Sequence, residues 1–63
     1  MSIVAGYTRN NDGAYIVIGN YESAPLAEGA IAGDTSVNVK EYWVASCINP
    51  ETNEPDVLGT IDV

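Results

Sequence analysis

Cys47 is the one thiol in a 63-residue chain that has no histidine at all. Nucleophilic catalysis needs a nucleophile, a base and a group that orients the base. Without histidine the commonest base is missing, and Cys47 has only Lys40 or a helix terminus to lower its pKa. Two residues apart along an extended run, Val37, Val39, Trp43, Ala45 and Cys47 share a side, so Cys47 reads as a small buried hydrophobe. Paired carboxylates could exchange protons, and Glu51, Glu54 and Asp56 lie close together. They sit in NPETNEPD (49–56), a segment with two prolines and almost nothing to bury, so they read as solvated turn residues. Thr8-x-Asn10-x-Asp12-Gly13 has the outline of a calcium loop. It lacks Asp at the first position and has Gly19 where the bidentate Glu belongs, which leaves a hairpin turn. A lone cysteine without histidine makes no zinc site, and no phosphate loop is present. Catalytic residues, cofactor and metal are therefore all expected to be absent.

The element that positions most of these residues is 35–47, TSVNVKEYWVASC, the longest strand-like run and the location of the only tryptophan. Glu41 falls on its apolar side. A pair with Lys40 or Arg9, a β-bulge at Lys40–Glu41 that turns it outward, and a charge guarding an edge strand are the ordinary explanations. A salt bridge to a neighbouring subunit is the functional one. Upstream, 2–8 and 14–19 read as a hairpin around Asp12-Gly13. A two-residue loop puts Ile3, Ala5, Tyr7, Ala14, Ile16 and Ile18 on one face and Val4, Thr8, Tyr15 and Val17 on the other. A three- or five-residue loop exchanges the faces of the second strand. Either way both faces carry apolar side chains and need cover.

Residues 20–34 are irregular, broken by Pro25, Gly29 and Gly33. A short helix from Pro25, capped by Ser23 or Ala24, and an extended arm carrying Leu26 and Ile31 fit equally well. The final run, 57–63, places Val57, Ile61 and Val63 on one side as a closing strand. The expected fold is all-β: a small antiparallel sheet or barrel of about four strands with an N-terminal hairpin and an irregular 20–34 arm, in a single domain spanning 1–63.

A chain this short buries only about 60% of the surface its unfolded form exposes, so its core is thin. Small proteins in that position gain stability from disulfides, metals or partner surfaces, and the residue inventory removes the first two. Oligomerisation or docking on a larger protein assembly is the remaining expectation, with Tyr15, Val17, Leu26, Ile31, Glu41 and Trp43 as candidate protein-contact residues. Nine acidic residues against Arg9 and Lys40 give a formal net charge of -7. That charge disfavours nucleic acid and anionic membrane surfaces as partners. No small-molecule substrate is indicated. Neither a signal peptide nor a membrane-length apolar run is visible, which places the chain in a soluble, reducing compartment.

The Asp12-Gly13 hairpin leading into Tyr15-Ile16-Val17, followed by the Pro25-Leu26 stretch rich in Ala and Gly, resembles in style the small accessory virion proteins of tailed phages, of the capsid decoration or cement type. The resemblance covers about half the chain. It implies a non-enzymatic structural protein, located in the virion or host cytoplasm, that packs on a larger assembly or self-associates. The alternative is an acidic phage-encoded inhibitor that imitates DNA charge to block a nucleic-acid-binding host protein. Such a mimic needs its carboxylates aligned at roughly phosphate spacing, whereas these are spread among turns.

Overall fold

A computed structural model describes residues 2–62. The chain forms β1 (Ile3–Arg9), β2 (Tyr15–Tyr21), α1 (Ala24–Ala32), β3 (Val39–Ile48) and β4 (Pro55–Asp62). The strands make one antiparallel sheet in the order β2-β1-β3-β4, open at both edges and not closed into a barrel. The expected all-β antiparallel sheet of about four strands is present, with one short helix beside it. Of the two readings of 20–34 the short helix is the one formed, over Ala24–Ala32 and capped at Ser23, laid across β1 and β2 and more lightly on β3.

That helix follows from local chemistry. Ser23 is extended at the N-cap, Pro25 stands in the first turn where its missing N–H costs nothing, and four of the nine residues are alanine. At the C-terminal end the Gly33 N–H donates to the Gly29 carbonyl and the Asp34 N–H to that of Ile31. Nine residues are too few for a stable isolated helix. Its hold on the sheet is Ala27 and Ile31, one turn apart and both buried. Burying Ile31 contributes about 1.5–3 kcal/mol.

Both hairpins use the same loop. In the first, the Arg9 N–H donates to the Ala14 carbonyl and the Gly13 N–H to that of Arg9. In the second, Asn49 donates to Glu54 and Asn53 to Asn49. The loops are therefore 10–13 and 50–53, and each ends in a left-handed residue, Gly13 at φ 72° and Asn53 at φ 59°. The Asp12-Gly13 signal marked the turn correctly but as a shorter loop. The pairing slides by two residues, to Tyr7 with Ile16, and an even slide keeps each side chain on the face read from the sequence.

Bulges rearrange the rest. Thr8 pairs with Glu41 and Arg9 with Val39, which leaves Lys40 as the extra residue. Val39 consequently packs beneath the helix, on the face opposite Trp43. The strand also starts later than expected, because Asn38 adopts φ 59° and breaks the run; Val37 lies outside the strand and is exposed. In β4, Val44 pairs with Gly59 and Ala45 with Val57, so Leu58 is extra. Val57 and Ile61 therefore end on opposite faces, contrary to the simple alternation, and the expectation for Val63 lies outside the described residues. A further irregularity sets Ser46 and Cys47 against Asp56, and Cys47 is exposed, not core-facing.

The result is two unequal cores. Beneath the helix, Ala5, Tyr42 and Val44 gather with Ala27 and Ile31, flanked by Ile3, Tyr7, Ile18, Tyr21, Val39 and Ile61. On the other face Val4, Trp43 and Ala45 cluster with Ile48.

Candidate protein-contact surface

The face away from the helix is built on Trp43. Gly6 faces it from β1, and the absence of a side chain there lets the indole lie against the backbone. Val4 and Ala45 flank it, Ile48 packs from the far end of β3, and Tyr15 meets it edge-on at a centroid distance of 6.4 Å and an interplanar angle of 70°. The ring is 1% exposed even though no helix covers it. Ile48, at the irregular end of β3, supplies part of the cover, and beside the cluster a shallow cleft is lined by Ala14, Tyr15, Val17, Ile48 and residues 52–54. Among the described residues the buried indole Nε1–H has no hydrogen-bond partner.

Beyond this cluster the face stays open along β2, where Tyr15 is 43% and Val17 48% exposed. Both stand on the strand at one edge of the sheet. The six candidate contact residues do not form one surface. Tyr15, Val17, Trp43 and a half-buried Glu41 share the open face, Leu26 is exposed on the helix, and Ile31 is buried under it. Ile31 and Trp43 are buried in the chain's own core clusters. Alternation along the strand puts Trp43 on an apolar side, but it does not say that Gly6, Tyr15 and Ile48 close around the ring.

Within the chain Glu41 pairs with neither Lys40 nor Arg9. The one salt bridge among the described residues joins Arg9 to Asp12 at 2.7 Å, with a second contact from Arg9 Nε at 3.0 Å. The bulge at Lys40 forms as expected, yet it displaces Val39 and leaves Glu41 on the side of Trp43, between Thr8 and Asp62 in the register. Three exposed apolar residues escaped the sequence reading: Val37 in the approach to β3, and Val57 and Leu58 at the β4 bulge. The signal available for the last two was the glycine at 59 inside a strand pattern.

Two carboxylates hold the framework. Asp34 accepts from the Tyr42 hydroxyl at 2.8 Å and the Ser36 N–H at 3.2 Å, tying the segment after the helix to the central strand. Bonding from Ser36, then from Tyr42, holds its pKa below the ordinary value against the opposing effect of burial. Asp12, bonded by Arg9 and the Ala14 N–H, is lowered to about 2. Ser46 donates to Asp56 at 3.1 Å beside the exposed Cys47, at the mouth of an acidic cleft along 49–56. Among the described residues no group of three His, Cys, Asp or Glu side chains comes together to hold a metal ion, and no helix is long and apolar enough to cross a membrane.

Comparison with protein-family models, with curated proteins and with solved structures gives no match.

Proposed function

We propose that this chain is a non-enzymatic interaction protein, an accessory component that packs on a larger protein assembly. The observation that carries the reading is the distribution of apolar surface: Tyr15, Val17, Leu26, Val37, Val57 and Leu58 are all exposed on a 63-residue chain. Exposed apolar residues are normal when solitary. Tyr15 and Val17 are not solitary, since they extend an apolar cluster centred on Trp43 at the margin of a sheet with helix on only one face. The finer reading, a capsid decoration or cement protein of a phage virion, rests on the resemblance of the Asp12-Gly13 hairpin and the Pro25-Leu26 stretch. The acidic-mimic reading gains no support, as Asp12 is engaged with Arg9 and Asp34 with Tyr42 and Ser36, while Glu51, Glu54 and Asp56 gather at the β3–β4 hairpin.

The test is fractionation of the native source on a density gradient. The chain is expected to migrate with a large particle and to be released by conditions that weaken apolar contacts. Recovery solely at the top of the gradient, at native abundance and with the particle intact, would sink the reading.

A further inference from the structure

The two edges of the sheet are chemically unlike. β4 starts at Pro55, carries Asp56 and Asp62, and is kinked by the bulge at Leu58. Proline, charge and bulges are the devices by which an edge avoids pairing with another strand. β2 reads YIVIGNY, seven residues without a charged side chain or proline, in a protein of net charge -7. Its residues 15–17 are straight; the bulge comes only at Ile18.

The free hydrogen-bonding groups of this edge follow from the ladder. The Arg9 N–H donates to the Ala14 carbonyl, and bonded pairs recur every second residue, so Ile16 bonds inward to Tyr7. The N–H and C=O groups of Tyr15 and Val17 point outward. Their side chains are the half-exposed apolar pair on the open face.

We propose that β2 is a self-pairing edge. It takes β2 of a second copy of this chain, antiparallel about a two-fold axis near Ile16, to give a continuous eight-stranded sheet. This rests on reading the chain as an interaction protein and assigns the surface and the partner. In that register Tyr15 of one copy lies opposite Val17 of the other, and about four backbone hydrogen bonds form. The two Tyr15–Val17 pairs become one apolar patch across the junction. A second copy fits because the pairing is isologous and sets no carboxylate against another: Glu22 falls opposite Asn10, and Asp12 opposite Asn20. The two-fold stands perpendicular to the sheet, so both helices lie on the same side and both Trp43 clusters on the other.

A contact of this kind buries less than the roughly 1,200 Å² of a standard stable interface. The association is therefore to be read between about 10 μM and about 1 mM. Sedimentation over that range should show the 6.6 kDa chain passing to twice its mass. In amide exchange, protection of Tyr15 and Val17 should rise with concentration while that of Ile16 does not change. Val17→Pro removes an outward N–H and leaves the inward bonds of Ile16, and Val17→Lys places like charges near the axis. Both should remain monomeric, with Trp43 emission showing an intact fold, whereas Leu58→Lys on the other edge should dimerise as the parent does. If Val17→Pro fails to fold, Val17→Lys and the exchange pattern decide. A parent chain monomeric to about 1 mM, or a dimer that persists in a folded Val17→Lys, overturns the proposal. Migration with a large particle is a separate readout: a monomer that migrates with one refutes only self-pairing, and a dimer that never does refutes only the larger assembly.

Discussion

A Cβ built on Gly6 would stand 2.5 Å from Cη2 of Trp43, and it would also collide with the carbonyl oxygen of Ile16. The first obstacle is a ring held on every side and the second is backbone, so neither yields readily. Gly6→Ala is expected to destabilise the chain by about 1–3 kcal/mol through overpacking, although alanine is the better strand residue in open surroundings. A melting temperature lowered by roughly 4–8 °C per kcal/mol is the readout. An unchanged value would mean that the indole is not seated on β1.

Trp43 is enclosed, but among the described residues its Nε1–H has no partner. Its fluorescence should be blue-shifted, and resistant to aqueous quenchers. Trp43→Ala removes a fully buried aromatic at a cost of about 3–5 kcal/mol. A chain of this size holds about 3–9 kcal/mol in total. The variant should lose a large share of that stability, read as a urea midpoint well below the parent's.

Gly29 lies inside α1, exposed, and a Cβ there would meet nothing within 4 Å. Gly29→Ala should therefore stabilise the chain by up to about 1 kcal/mol, seen as a higher urea midpoint at constant slope. A loss of stability would show that the helix is not formed over Ala24–Ala32.

Asn53 ends the second hairpin loop at φ 59°, the position that glycine holds in the first. Asn53→Ala should cost about 1–2 kcal/mol, because a Cβ without a short polar group disfavours the left-handed region. Asn53→Gly should be neutral or stabilising. Thermal melts of the two variants side by side separate this from any effect of losing the amide.

Asp12 and Asp34 both have pKa values below the ordinary one, Asp12 at about 2 and Asp34 lowered by Ser36 and Tyr42. A carboxyl depressed in the folded state contributes stability above its unfolded value near 4, and that contribution is lost as the pH falls through the folded value. For Asp12 the window is from about pH 4 to about 2. Tyr42, raised by its bond to Asp34, behaves oppositely: its contribution is complete below the unfolded value of about 10 and is lost on going above it. Melting temperature against pH for the parent and for Asp12→Asn and Asp34→Asn should differ at pH 6 and converge at the acid end. Parallel curves would deny these bonds in solution.

The sequence by itself determined the mainly-β character, the first hairpin and the partition of its faces, because alternation and turn chemistry are local and a slide of two residues leaves the faces unchanged. It left the helix undecided. Gly29 and Gly33 weaken its propensity, and what holds it is Ala27 and Ile31 pressed on a sheet assembled from remote strands. Of the bulges at Ile18, Lys40 and Leu58 only the one at Lys40 was suggested by the sequence, through Glu41 on the apolar side; the others were illegible one strand at a time, since a bulge is a mismatch between two strands. Together the bulges moved Val39 under the helix and split Val57 from Ile61. Of the candidate surface, Tyr15 and Val17 were legible as apolar residues on the second face. That Ile31 is enclosed, and that the uncharged β2 stands at an edge of the sheet, only the tertiary structure decided. Exposure depends on which strand ends at the margin of the sheet and on which side chains from other elements close over each face.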